Sequence, residues 1–246
     1  RKDLEQVKEQ RETQRKQRRK NAVPVVSIVG YTNAGKSTIM NQLLMKMGQE
    51  DSKQVFEKNM LFATLETSVR NIELPDNKSF LLTDTVGFVS KLPHHLVKAF
   101  RSTLEEARDS DLLLHVVDVS NEEHSFMMDV TNETLKAVGV EDIPTIYVYN
   151  KSDLANVKYP LVSGDNIWLS AKDGAGLDEL IELIKLYIFS DYITCKMLIP
   201  YDKGNVVSYL NEVATVMTTS YEEEGTLLEI EIKQSDYNKY EQYVIK

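Results

Sequence analysis

Eight consecutive residues, 30–37, have the types and spacing needed to hold a polyphosphate. They read Gly-Tyr-Thr-Asn-Ala-Gly-Lys-Ser, after the apolar run 23–29 and before the helix-like stretch 38–44. A glycine-containing loop here lets backbone N–H groups converge on phosphate oxygens at a helix N-terminus, where the helix dipole favours negative charge. Lys36 would neutralise the β- and γ-phosphates, and Ser37 would ligate Mg²⁺. The residues predicted to surround the phosphates are Gly30, Tyr31, Thr32, Asn33, Ala34, Gly35, Lys36, Ser37 and Thr38.

A second candidate segment, Asp84-Thr85-Val86-Gly87, follows the strand-like run 80–83. A phosphate-loop nucleotidase needs a carboxylate near Mg²⁺ and a glycine whose N–H can meet the γ-phosphate. Asp84, acting through a water molecule, and Gly87 are predicted to fill these two roles.

The segment Asn150-Lys151-Ser152-Asp153 follows another apolar run, 143–149, and predicts which base is bound. The Asp153 carboxylate can accept hydrogen bonds from both N1–H and the exocyclic amine of guanine, whereas adenine lacks this pair of donors. Asn150 and Lys151 are expected to brace the pocket.

Ser170-Ala171-Lys172, after the next strand-like run, is placed to close over the base, with the backbone N–H of Ala171 directed at guanine O6. Four short motifs in this order, each at the end of a strand, predict a GTP site. An ATP-dependent phosphotransferase is disfavoured because of Asp153.

The elements that must position these motifs alternate along the chain. Strand candidates are 71–74, 80–83, 112–117, 143–149 and 167–169, and helical candidates are 96–108, 124–138 and 177–189. This alternation predicts an α/β fold of the P-loop NTPase class, a Ras-like G domain whose mostly parallel sheet carries helices on both faces. The ligand site is then expected at the carboxyl ends of the strands.

After residue 189 the pattern changes to that of a small α+β domain. A strand at 193–200, a helix at 205–212, a hairpin of 215–221 with 227–232 and a helix at 236–243 are predicted. We therefore divide the chain into a helical linker end at 1–20, a G domain at 21–190 and a small C-terminal domain at 191–246.

Composition limits the class of protein. The chain has 246 residues, of which 42% are hydrophobic, and a net charge of −9. Residues 1–20 carry nine Lys or Arg against four Asp or Glu, so this arm either touches RNA phosphate or is a solvated helical face. The acidic remainder predicts no sequence-specific DNA binding. No apolar stretch reaches membrane-spanning length, and a cytoplasmic location is expected. The single cysteine, Cys195, is expected in the core.

The chain resembles translational-type GTPases, and most closely the HflX family of ribosome-associated GTPases. The segments that carry this resemblance are 30–38, 62–66, 84–88, 92–106, 110–118, 200–204 and 224–226. The resemblance covers essentially the whole chain but not the family's separate N-terminal domain. Residues 1–20 would then be the end of the linker that leads out of that domain.

The resemblance implies roles that spacing alone does not fix. Thr64 would contact Mg²⁺ and the γ-phosphate, with Thr67 as the competing candidate. Asn33 would ligate a potassium ion between the phosphates. The implied partner is the large ribosomal subunit, with ribosome splitting or rescue under stress as the physiological step. The residues expected to meet GTP in this segment are Phe62, Ala63, Thr64, Leu65 and Glu66.

Phe88 occupies the position where Ras-like GTPases carry a glutamine that orients water. A phenyl ring cannot make that hydrogen bond, so intrinsic hydrolysis is expected to be slow unless a partner group or the cation near Asn33 assists. Alternatively, Phe88 packs in the core and a backbone amide positions the water. His94 and His95 are weaker candidates. Two functions remain open: a GTPase, and a GTP-gated binding module with negligible turnover unless a partner activates it.

Overall fold

The computed structural model describes residues 23–48, 68–85, 87, 105–140 and 142–245. Its strands are β1 (Val25–Gly30), β2 (Ser68–Glu73), β3 (Ser79–Asp84), β4 (Leu112–Asp118), β5 (Thr145–Asn150), β6 (Leu161–Ser163), β7 (Asn166–Trp168), β8 (Tyr192–Ile199), β9 (Thr215–Glu222), β10 (Gly225–Lys233) and β11 (Val244–Ile245). Its α-helices are α1 (Lys36–Lys46), α2 (His124–Ala137), α3 (Leu177–Ile188), α4 (Gly204–Val213) and α5 (Gln234–Tyr240). Short 3₁₀ turns lie at Glu105–Asp109, Ser152–Leu154, Tyr201–Lys203 and Glu241–Tyr243.

The first sheet has seven strands in the order β2-β3-β1-β4-β5-β7-β6. The five central strands run parallel, while β2 and β6 pair antiparallel at the two edges. The predicted α/β fold with a mostly parallel sheet is therefore confirmed. The short edge strand β6 has no counterpart in the sequence prediction.

The central strands β1 and β4 are nearly continuous apolar runs because both of their faces are covered. On one face, Ile39 and Leu43 of α1 and Leu180 and Ile184 of α3 belong to the main hydrophobic cluster. On the other face, Leu135 of α2 joins a smaller cluster with Val29, Leu113, Ala107 and Val140. The helices thus lie on both faces, as predicted.

The second sheet is antiparallel, with the order β11-β8-β10-β9. Buried and partly exposed residues alternate along β10, which is typical of a strand with one covered face. Val206 and Leu210 of α4 and Tyr237 of α5 pack into its core cluster. The predicted hairpin of β9 and β10 is present, and the predicted last helix is shorter and followed by β11. Cys195, expected in the core, is only half-buried on β8.

Some sequence predictions fall on parts of the chain outside the described residues. These include the arm 1–20 and residues 96–104 of the predicted helix 96–108, whose last residues form the 3₁₀ turn Glu105–Asp109. The predicted limits of the two domains stay predictions. None of the helices in the described residues combines the length and apolarity needed to cross a bilayer.

Two leucines of α3 give a matched test of the core. Leu180 is fully buried and Leu186 is 69% exposed. Leu180→Ala is expected to lower the free energy of unfolding by about 2–5 kcal/mol because it leaves a cavity. Leu186→Ala, with the same change in helix propensity, is expected to change it by roughly 0.5 kcal/mol or less. Urea denaturation measures both, and equal losses would contradict this packing.

Candidate nucleotide site

The predicted motifs lie together at the carboxyl edge of the first sheet. Its strand registers align Ile28 with Asp84, and Gly30 with Val116. One strand further along, Asp118 of β4 pairs with Asn150 of β5. Because these strands are parallel, the loops that follow β1, β3, β4 and β5 emerge side by side.

Lys36, the first residue of α1, is held inside the loop formed by residues 30–37. Its Nζ donates to the carbonyl oxygens of Gly30, at 3.2 Å, and of Tyr31, at 3.0 Å. The side chain is 7% exposed. Burial lowers the pKa of Lys36 to about 8, and the nearby Asp84 carboxylate only partly opposes this change. The loop therefore holds a buried cation in position before any phosphate arrives.

Three residues of the loop have positive φ. Gly30 has φ 145° and Gly35 has φ 97°, while Asn33 has φ 63°, which Asn tolerates better than most residues. A Cβ on Gly35 would overlap the side-chain Nδ2 of Asn150. Gly35 is thus required both by its backbone angle and by the close approach of Asn150.

Two of the three groups predicted to hold Mg²⁺, Ser37 and Asp84, are in contact. Ser37 Oγ donates to Asp84 Oδ2 at 2.6 Å, and Asp84 is fully buried at the end of β3. A hydroxyl beside a carboxylate is a set of hard oxygen donors, which suits Mg²⁺. No cluster of three or more His, Cys, Asp or Glu that could hold a metal ion occurs in the described part of the chain. These residues fit an ion that also needs phosphate oxygens.

Gly87 lies against the loop. A Cβ there would stand 2.8 Å from Cγ2 of Thr32 and 2.9 Å from Nζ of Lys36. Before it, Thr85 is anchored because its Oγ1 donates to the carbonyl oxygen of Ile28 at 2.7 Å. The backbone at Gly87 therefore lies too close to Lys36 Nζ to leave room for a side chain.

Asn150 joins three loops. Its Nδ2 donates to the carbonyl oxygen of Ala34 at 2.9 Å, and its Oδ1 accepts from the backbone N–H of Ala171 at 3.0 Å. This is the bracing role expected of Asn150. The expected contact of the Ala171 N–H with guanine O6 stays a prediction; in this structure that N–H donates to the Asn150 amide oxygen.

Ser170 orients the predicted base-reading carboxylate. Ser170 Oγ lies 2.9 Å from Asp153 Oδ1 and 3.0 Å from Asp173 Oδ2, and its single proton can be donated to one of them. Ser152 Oγ donates to the carbonyl oxygen of Tyr149. The contact between Ser170 and Asp153 joins the two loops that are expected to enclose the base.

One contact of the site was missed by the sequence analysis. Lys151 Nζ lies 2.7 Å from Asp118 Oδ2, and Asp118 Oδ1 accepts from Ser120 N and Oγ. Asp118 stood in the segment 110–118 without an assigned role. The available signal was an acidic residue at the end of the strand that pairs with β5.

Two histidines near the site, His115 and His124, lie within the described residues. His115, on β4, is buried, and burial lowers its pKa to about 4, so it is neutral. It lines a groove of about 210 Å³ between the phosphate loop and α2. His124 Nδ1 lies 2.7 Å from the carbonyl oxygen of Asn121. Neither side chain shows a contact that would make it a catalytic base.

Several predicted site residues lie outside the described residues, and their roles stay predictions. They are Phe62, Ala63, Thr64, Leu65 and Glu66, the alternative Thr67, and Val86, Phe88, His94 and His95.

Comparison with known proteins agrees with this geometry. The family described as "50S ribosome-binding GTPase" matches residues 25–151, just over half of the chain. A GTPase HflX from Lacrimispora saccharolytica is 43% identical over 226 residues, which are 91% of this chain and 52% of that protein. A GTPase HflX from Caldanaerobacter subterraneus subsp. tengcongensis is 42% identical over 231 residues, which are 93% of this chain and 52% of that protein. The chain spans about half the length of these relatives.

A solved structure supports the same assignment. The GTP-binding protein from the hyperthermophilic archaeon Sulfolobus solfataricus in complex with GDP has a TM-score of 0.54 and 28% sequence identity, over 68% of this chain and 53% of that chain. The sheet order and the phosphate loop of this chain agree with its similarity to these GTPases. The chain belongs to the HflX family of GTPases.

Proposed function

We propose that this chain is a Mg²⁺-dependent GTPase that hydrolyses GTP to GDP and phosphate and acts as a ribosome-associated switch. The observation that carries the proposal is the bridge made by Asn150, which ties the phosphate loop at Ala34 to the loop of Ala171. The bridge sets a buried lysine and a base-reading carboxylate into one site.

In this proposal the two ends of the nucleotide are read by different groups. Lys36 and the backbone N–H groups of the loop receive the phosphates. Asp153, held by Ser170 at 2.9 Å, accepts from N1–H and the exocyclic amine of guanine. Lys151, positioned by Asp118 at 2.7 Å, covers the base from the side. Specificity follows because adenine would leave the Asp153 carboxylate without donors.

The residues that would hold the metal are Ser37 and Thr64 as direct ligands and Asp84 through a water molecule. When bound, Mg²⁺ neutralises charge on the β- and γ-phosphate oxygens. Ser37 and Asp84 are already in contact at 2.6 Å, and their hydrogen bond keeps both oxygens at the same end of the loop.

Hydrolysis needs a water aligned with the γ-phosphate and a group that stabilises charge. Lys36 supplies a cation, and Gly87 approaches its Nζ closely enough to offer a backbone N–H to the same phosphate. Phe88 offers no hydrogen bond, so slow intrinsic turnover is expected. A partner acting in trans, or K⁺ near Asn33, would supply the missing charge.

The ribosomal part of the proposal is supported by the matched family, described as 50S ribosome-binding GTPase. We propose binding to the large ribosomal subunit, with ribosome splitting or rescue under stress as its outcome and the cytoplasm as its location. Because the chain spans about half of its relatives, binding by this chain itself is to be tested directly.

The first test is phosphate release from GTP in KCl and in NaCl, each with and without large ribosomal subunits. Subunits are expected to raise turnover by at least about tenfold, since they supply the group that Phe88 does not. Asn33→Gly keeps the left-handed backbone but removes the amide, so it is expected to abolish any preference for KCl. GTP binding without release under every condition would favour the binding module.

A second prediction concerns the base. Asp153→Asn replaces the acceptor of two guanine donors by an amide, and we expect GTP affinity to fall roughly 100-fold or more. Xanthosine triphosphate, which has a carbonyl where guanine has the amine, is expected to bind this variant better than GTP does. Titration with fluorescent nucleotides measures both affinities.

The matched control for that test is Asp173→Asn, which changes the other carboxylate within reach of Ser170 Oγ. It is expected to leave the preference for GTP intact. A similar loss in both variants would mean that the Ser170 contacts, and not the reading of the base by Asp153, set the affinity.

A third prediction follows from the pKa of Lys36, which burial lowers to about 8. Phosphates bind the charged lysine, so GTP affinity is expected to fall by roughly fivefold between about pH 7.5 and about pH 8.8, as the free site loses its proton. Lys36→Met binds more weakly and is expected to lack this loss, which separates it from titration of guanine itself. Parallel pH profiles in both proteins would contradict the prediction.

A further inference from the structure

The turn between β2 and β3, residues 75–78, lies against the second sheet. Thr215 Oγ1, at the start of β9, donates to the carbonyl oxygen of Asp76. Asn77 Nδ2 lies 3.5 Å from the carbonyl oxygen of Ala214. The hairpin of the first sheet thus contacts the second sheet through its turn.

Lys78 is the centre of this contact. It is only 6% exposed, although lysine is rarely buried without partners. Its Nζ lies 2.7 Å from Glu231 Oε2 on β10 and 3.7 Å from Asp76 Oδ2. The same ammonium lies over the rings of Phe189 and Tyr192, at 5.3 and 4.9 Å from their centroids.

This ion pair is buried on the lysine side only, since the Glu231 side chain is 32% exposed, and we expect it to specify the position of the turn more than it adds stability. The cost of removing the Lys78 ammonium from water offsets much of the attraction, whereas separating the partners leaves that buried charge uncompensated. Lys185 Nζ, at 3.1 Å, adds a second cation at Asp76. The turn therefore has one well-defined position on the second sheet.

The opposite end of the same hairpin lies at the nucleotide site. The β2–β3 register is continuous from Glu73–Ser79 beside the turn to Ser68–Asp84 at the site. Over six residues this ribbon spans roughly 20 Å. Asp84, at its end, contacts Ser37 of the phosphate loop at 2.6 Å. Since a slip of one residue would reverse every side chain of a strand, the register is fixed, and we expect the hairpin to move as a unit.

We propose that the second sheet is coupled to the nucleotide site through the β2–β3 hairpin, with Lys78 as the positioning residue that makes the coupling. A change at Asp84 when GTP replaces GDP weakens or strengthens the contact between the turn 75–78 and the second sheet. By thermodynamic reciprocity, whatever binds the second sheet then changes the relative affinity for GTP and GDP. This inference rests on the proposed function, because it requires both nucleotides to bind.

The test compares wild-type chain with Lys78→Met, which keeps the stem of the side chain and removes its charge. The affinities for GDP and for a non-hydrolysable GTP analogue are measured, and their ratio is expected to change by about fivefold or more. Hydrogen exchange gives a second readout. Amides of 225–233 in the wild type are expected to change protection when GDP replaces the analogue, and those in Lys78→Met are not.

Three further variants make the outcome specific. Lys78→Arg, which keeps the charge, is expected to have a ratio of GDP to GTP-analogue affinity closer to that of the wild type than Lys78→Met has. Lys196→Met removes a pair of 3.9 Å with Glu229 on the same sheet that includes no residue of the turn 75–78, and is expected to change nothing. If Lys78→Met does not fold, Glu231→Gln removes the partner charge and is measured in its place.

Lower unfolding stability in Lys78→Met with an unchanged nucleotide ratio and unchanged exchange would overturn the coupling and leave Lys78 a structural residue. Failure of the proposed function is recognised separately. In that case the wild-type chain binds neither nucleotide at the first measurement, before any variant is compared.

Discussion

The hydrogen bonds of the Asn150 side chain are the constraint on which the site depends. One amide group donates to Ala34 and accepts from Ala171, so the loops after β1, β5 and β7 have a common reference point. Gly35 must be glycine because that amide lies where its Cβ would be. The position of the buried Lys36 follows from the same loop. A polar side chain that is itself buried can hold such a geometry, since its partners would be costly to leave unpaired.

A second constraint lies in the balance of burial and charge around Lys36. The protein buries an ammonium group beneath its own carbonyl oxygens, and burial lowers the pKa of Lys36 to about 8. Triphosphate binding would add anionic oxygens to the carbonyl oxygens that already accept from Lys36. The same principle applies at Lys78, where Glu231 and two aromatic rings compensate the buried charge. Lys36 and Lys78 lie near opposite ends of the β2–β3 hairpin.

Much of the fold and site could be predicted because their signals are local. Three of the motifs lie at strand ends: the loop 30–37, the acidic residue that ends β3 and the segment 150–153. The order of strands and helices follows from the hydrophobic pattern. The contacts that were missed join residues distant in sequence. One example is Asp118 with Lys151, which depends on the order of the strands in the first sheet. Another is Lys78 with Glu231, which depends on the position of the turn 75–78 on the second sheet. The hydrogen bond from the Ala171 N–H to Asn150 is a further example, because it joins residues 21 positions apart. The short strands β6 and β11 carry too few residues for a periodic signal.

Displacement of a fluorescent GDP from the wild-type chain by GTP, GDP and ATP tests whether this site selects a guanine nucleotide. GTP and GDP are expected to displace the probe at concentrations roughly 100-fold or more below that of ATP, since only guanine offers two donors to Asp153. Displacement by ATP at the same concentration as GTP would mean that the site does not select guanine.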